Sequence, residues 1–112
     1  NLVRDFHIGG IVHITGGGIT GNLPRVIPKG WKAIVHRGTW DPPPIFPFLQ
    51  ERGHISEEEM FRTFNCGIGM VLIVRPKEVT EVLDRLRSLK EKAFIIGEIR
   101  KTEQDQKTIE YL

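Results

Sequence analysis

The chain has 112 residues, enough for one small domain. Its 39% hydrophobic and 27% charged residues are a globular composition and exclude a disordered chain. Sixteen basic against 14 acidic residues give a formal charge of +2, too balanced to argue for nucleic acid as a partner. The single cysteine, Cys66, rules out an intrachain disulfide and suits a reducing cytosol. No apolar run approaches the ~20 residues that cross a bilayer, and no signal peptide is visible. The sequence begins at Asn1, so a processed product or a piece of a longer protein is expected.

Residues 8–15 (IGGIVHIT) read as a strand, entered through Gly9 and Gly10 and carried by β-branched side chains. Gly16, Gly17 and Gly18 follow. Residues 22–26 read as one short helical turn with Asn22 as its cap and Pro24 in its first turn. A second strand is expected over 31–37. Asp41 and three prolines then form an extended connector. A short helix over 46–53 should stop at Gly53.

Ser56 and Glu59 make a capping box, with Ile55 and Met60 at hydrophobic-staple positions, for a helix running to about Phe64. Residues 68–74 (IGMVLIV) are apolar on both alternating sets, as in a central strand covered on both faces. Pro76 opens a helix through Lys90, with Val79, Val82, Leu83, Leu86 and Leu89 on one stripe. Strands are expected over 93–99 and, more weakly, 107–112. The order implies an α+β domain with helices on the faces of a mixed sheet, in part resembling a ferredoxin-like sandwich. One long helix cannot cover both faces, so the domain is expected to be incomplete in this chain or completed by a partner.

Two stretches carry chemistry. TGGG (Thr15–Gly18) offers backbone N–H groups with no Cβ in the way, and Arg25 offers a bidentate fork for phosphate or carboxylate. A glycine-rich turn with Arg25 in a salt bridge fits the same residues equally well. No Gly-Lys-Ser/Thr follows, and contiguous glycines do not match the dinucleotide fingerprint. In RTFNCGIGM (Arg62–Met70), Asn65 at the helix end suits a left-handed stop or a ligand's polar edge. Cys66 reads as a small packed residue. His7, His13, His36 and His54 lack metal-ligand spacing, and the run Glu57–Glu59 reads as a helix N-terminus; no metal site is expected.

Together, HITGGGITGNLPRVIP and the downstream SEEEMFRTFNCGIGM resemble the aminoimidazole ribonucleotide synthetase family, also called phosphoribosylformylglycinamidine cyclo-ligase. The intervening residues 40–53 resemble it too, and the likeness spans residues 11–100. NLPR combined with RTFNCGIGM points away from formylglycinamidine synthetase, selenophosphate synthetase and thiamine-monophosphate kinase. The resemblance implies ring closure of formylglycinamidine ribonucleotide by an ATP-dependent ligase of purine synthesis, in the cytoplasm. It implies that this chain is the later part of a layered α/β/α C-terminal domain. ATP and Mg2+ would then bind mainly on an absent N-terminal domain, which would also carry the surface of a homodimer. Gly16, Gly17, Gly18, Asn22 and Arg25 become candidates for substrate phosphate or ribose contacts. Thr15, Arg62 and Asn65 take supporting places, and no catalytic acid or base is assigned. Alone, the chain is expected to be inactive. The alternative is a stand-alone module that binds a phosphorylated ligand at the glycine loop without chemistry. Neither nucleic acid nor membrane is an expected partner.

Overall fold

The computed structural model describes residues 6, 8–103 and 109–112. Its elements are β1 (Ile8–His13), α1 (Gly18–Asn22) with a 3-10 turn Leu23–Val26, β2 (Trp31–Val35), α2 (Ile45–Gly53) and α3 (Glu57–Thr63). After these come β3 (Met70–Val74), a 3-10 turn Pro76–Glu78, α4 (Val79–Ser88), β4 (Gly97–Lys101) and β5 (Ile109–Tyr111). The chain is therefore α+β.

Its strands form two separate sheets rather than one. β1 pairs antiparallel with β3, with His13 opposite Met70. β2 lies between β4, antiparallel, and β5, parallel. The expectation of a central β3 is corrected. Among the described residues β3 pairs with β1 alone, and Met70 is 58% exposed. Leu72 and Val74, in the same alternating set as Met70, are only half-buried.

One apolar cluster joins the two sheets. It draws Val12 and Ile14 from β1 and its exit, Ile19 and Leu23 from α1 and the turn after it, Ala33 and Val35 from β2, and Met60 and Phe61 from α3. Ile19 and Leu23 stand four residues apart, so both fall on the inward side of one helical path.

Several boundaries differ from the sequence reading. The expected turn after Asn22 is present as the 3-10 turn Leu23–Val26, with Pro24 in its first turn, but a helix already begins at Gly18, inside the glycine run; burial of Ile19 outweighs the poor helix propensity of glycine. The left-handed residue that ends α2 is His54, one past Gly53. Ser56 accepts a hydrogen bond from the Glu59 N–H at 3.1 Å, as a cap should. The Glu59 carboxylate, however, accepts from Thr63 and Arg62. Residues 93–95 lack strand pairing; the Ile96 carbonyl accepts from the His36 N–H at 2.7 Å, and β4 starts at Gly97. The start of the expected last strand, residues 107–108, lies outside the described residues; Ile109–Tyr111 form β5. Of the α4 stripe, Val82 is buried while Leu89 is 62% exposed.

Candidate functional site

The two motifs, some 40 residues apart in sequence, meet in space. β1 delivers Ile14 to Gly69, where the Ile14 N–H donates to the Gly69 carbonyl at 2.8 Å and extends the β1–β3 ladder by one step. The chain then turns through the glycines and enters α1, which packs on α3. Gly18 makes that contact possible. It has φ +61°, and a Cβ there would clash with the Phe61 carbonyl oxygen and stand 2.5 Å from that of Phe64. Gly18 is thus spent on close helix packing, and its N–H donates to the Thr15 carbonyl at 3.1 Å.

Asn22 holds this turn from within. It is 1% exposed. Its Nδ2 donates to the carbonyls of Gly18 at 2.8 Å, Thr15 at 3.2 Å and Gly16 at 3.3 Å, and its Oδ1 accepts from the Thr15 hydroxyl at 3.2 Å. Asn22 stands at the N-cap of the 3-10 turn Leu23–Val26, but its side chain, engaged in this way, makes no capping bond there. The buried Asn22 amide fixes the loop, because burial without these bonds would be costly.

What remains open to solvent is Thr15, Gly16 and Arg25, with Gly17 half-buried. Gly16 and Gly21 have no neighbour where a Cβ would stand. Among the described residues, Arg25 has no ion-pair partner, so the salt-bridged alternative for this side chain finds no support there. Arg25 can therefore offer a guanidinium and Gly16 unobstructed backbone to an anion, while the Thr15 hydroxyl is already donated to Asn22.

The second motif is chiefly a support. The Asn65 side chain accepts from the Gly67 N–H at 2.8 Å, closing a tight turn, while Cys66 takes the left-handed conformation expected of Asn65. Gly67, at φ +97°, lies against Pro43, whose Cδ would be 2.5 Å from a Cβ. The Trp40 indole N–H donates to the Cys66 carbonyl at 3.0 Å, and its ring meets Phe61 edge-on. These contacts seat the proline connector on the turn. Arg62 is bound to Glu58 at 2.9 Å and Glu59 at 3.5 Å on the surface of α3. Burial raises the Cys66 thiol above its ordinary pKa, with the Glu57 charge adding to the shift, so the thiol is a poor nucleophile.

Two residues escaped the sequence reading. Tyr111 stacks on Phe61, with ring centroids 4.7 Å apart, and its hydroxyl lies 2.7 Å from that of Thr20 in the middle of α1. Ninety-one positions separate them, and no local pattern signals such a pair. Burial raises the Tyr111 pKa first of all; the Thr20 bond opposes the rise and Cys66 adds to it.

Among the described residues, no group of three His, Cys, Asp or Glu could hold a metal ion, and no helix is long and apolar enough to cross a membrane.

Residues 1–110 match the family described as AIR synthase related protein, C-terminal domain. The chain is 58% identical, over all of its 112 residues, to the phosphoribosylformylglycinamidine cyclo-ligase of Geotalea uraniireducens, covering 32% of that protein. It is 57% identical to the cyclo-ligase of Geobacter sulfurreducens over 110 residues, 98% of this chain and 32% of that one. It is 49% identical to the cyclo-ligase of Desulfatibacillum aliphaticivorans over 111 residues, or 99% of this chain and 32% of that one. The chain spans about a third of the length of these curated relatives. The match over residues 1–110, together with this identity over the whole chain, establishes that the chain belongs to the AIR synthase related protein family, as its C-terminal domain.

Proposed function

We propose that this chain is the C-terminal third of a cytoplasmic cyclo-ligase of purine synthesis. The whole protein would convert formylglycinamidine ribonucleotide and ATP to aminoimidazole ribonucleotide, ADP and phosphate. The observation that carries this reading is the 58% identity to a cyclo-ligase over the full chain. The exposed edge formed by Thr15, Gly16, Gly17 and Arg25 is the substrate phosphate or ribose wall. Gly18 and Asn22 hold that wall in place, and Asn65 and Arg62 shape the turn and the helix α3 behind it.

ATP, when bound, supplies the phosphoryl group that makes the formamide oxygen a leaving group for attack by the amidine nitrogen. Such a reaction depends on clamping and orienting the substrate more than on a protein nucleophile. Arg25 offers paired donors to a phosphate, and the backbone around Gly16 can approach it closely. In this reading Mg2+ and most of the ATP bind on the N-terminal portion of the whole protein.

The two small sheets are parts of a larger α/β/α layered domain with partly ferredoxin-like topology. Ile11, 45% exposed, and Met70 mark a face of the β1–β3 sheet that such a layer would cover. The whole enzyme works as a homodimer. In this reading the isolated chain is folded but inactive, and self-association can supply the missing cover. Purified chain given formylglycinamidine ribonucleotide and ATP should release no ADP above background and should elute as a dimer or larger. Turnover by the chain alone would overturn its inactivity, and a monomer at high concentration would overturn the self-association.

A further inference from the structure

We infer that Tyr111 is a positioning residue for the glycine-loop site, acting through Thr20. This role presupposes the anion site proposed above. Tyr111 is fixed to the three-stranded sheet, because β5 pairs with β2 and the Leu112 N–H donates to the Val35 carbonyl at 2.9 Å. The Leu112 carbonyl in turn accepts from the Arg37 N–H at 2.7 Å. From that anchor the phenol reaches α1 at the Thr20 hydroxyl, 2.7 Å away, while its ring lies on Phe61. Phe61 is also the residue whose carbonyl abuts Gly18. Tyr111 therefore closes a triangle of α1, α3 and β5.

The consequence is directional. α1 lies between the glycines and Arg25, so a shift of α1 moves the two candidate anion contacts relative to each other. Its own backbone bonds are few, because α1 has five residues. Asn22 fixes the loop internally, and the Thr20–Tyr111 bond fixes it against the sheet. Without that bond the binding-competent arrangement becomes one of several, and apparent affinity falls by its fractional population. Loss of one such hydrogen bond corresponds to about fivefold.

The test is calorimetric titration of the chain with ribose 5-phosphate, under conditions where every variant is fully folded. Tyr111→Phe keeps the stacked ring and removes the hydroxyl; Thr20→Val removes its partner. Each should weaken binding about fivefold, and the double variant no more than either alone, since both break one bond. Val82→Ala, a buried change outside the loop's core cluster, should lower stability yet leave affinity unchanged. Unaltered affinity in Tyr111→Phe, or additive losses in the double variant, overturns the positioning role.

If the parent chain binds no ribose 5-phosphate, the anion site itself fails, and hydrogen exchange of the free chain decides the positioning. The Gly18 and Gly21 amides donate to the Thr15 and Gly17 carbonyls. They should exchange faster in Tyr111→Phe than in the parent, with Val82 unchanged. Equal exchange at those two amides refutes the role.

Discussion

Replacing Gly18 by alanine tests the packing of the two motifs most sharply. The new Cβ would meet two backbone carbonyls, those of Phe61 and Phe64, and backbone cannot swing aside as a flexible side chain can. Overpacking of this kind costs about 1–3 kcal/mol. Holding an L-residue at φ +61° adds about 1–2 kcal/mol. The expected loss is therefore about 3 kcal/mol, a large share of the ~5–15 kcal/mol that holds a domain folded. With a urea slope of about 1.5 kcal/mol per molar, the unfolding midpoint should drop by about 2 M. Gly16→Ala is the matched control, because nothing stands within 4 Å of its Cβ; its midpoint should move by no more than about 0.3 M. A Gly18→Ala chain as stable as the parent, or a Gly16→Ala chain equally weakened, would refute the close α1–α3 contact.

Asn22→Ala removes a buried amide and leaves the Thr15, Gly16 and Gly18 carbonyls without its donors. Thermal unfolding should report a loss of about 2–3 kcal/mol. Arg25→Ala, at an exposed position, should leave the melting temperature unchanged and weaken ribose 5-phosphate binding at least about tenfold by calorimetry. An alkaline pH series should show stability falling as pH rises. Cys66 and Tyr111 both hold their protons more tightly when folded. The unfolded chain therefore releases protons first, starting near the ordinary values of 9.0 for the thiol and 10.0 for the phenol. Below pH 8 neither group contributes a slope, and Cys66→Ala should remove the earlier part of the decline.

The parts legible in the sequence were those set by local chemistry. Ser56 caps its helix because a hydroxyl three residues before an N–H is a local geometry. The β-branched runs became β1 and β2. The glycine run was opaque because glycine permits many conformations and specifies none. Gly18 was chosen for what lies opposite it on α3, and Asn22 for the loop it fills; neither cause is adjacent in sequence. The same holds for Tyr111, whose partner Thr20 lies in a helix that glycine content argued against. β3 misled for the opposite reason. Its two apolar faces describe a strand buried on both sides, whereas among the described residues it pairs with β1 alone and Met70 is exposed.

The most direct measurement joins this chain to the portion of a cyclo-ligase that it lacks. The C-terminal third of the Geotalea uraniireducens enzyme, 58% identical to it, would be replaced by residues 1–112 and the chimera assayed for ADP release that depends on formylglycinamidine ribonucleotide. Substrate-dependent turnover, abolished by Arg25→Ala in a chimera that still folds, is the predicted result. A folded chimera with no turnover, or one indifferent to Arg25, would contradict the account.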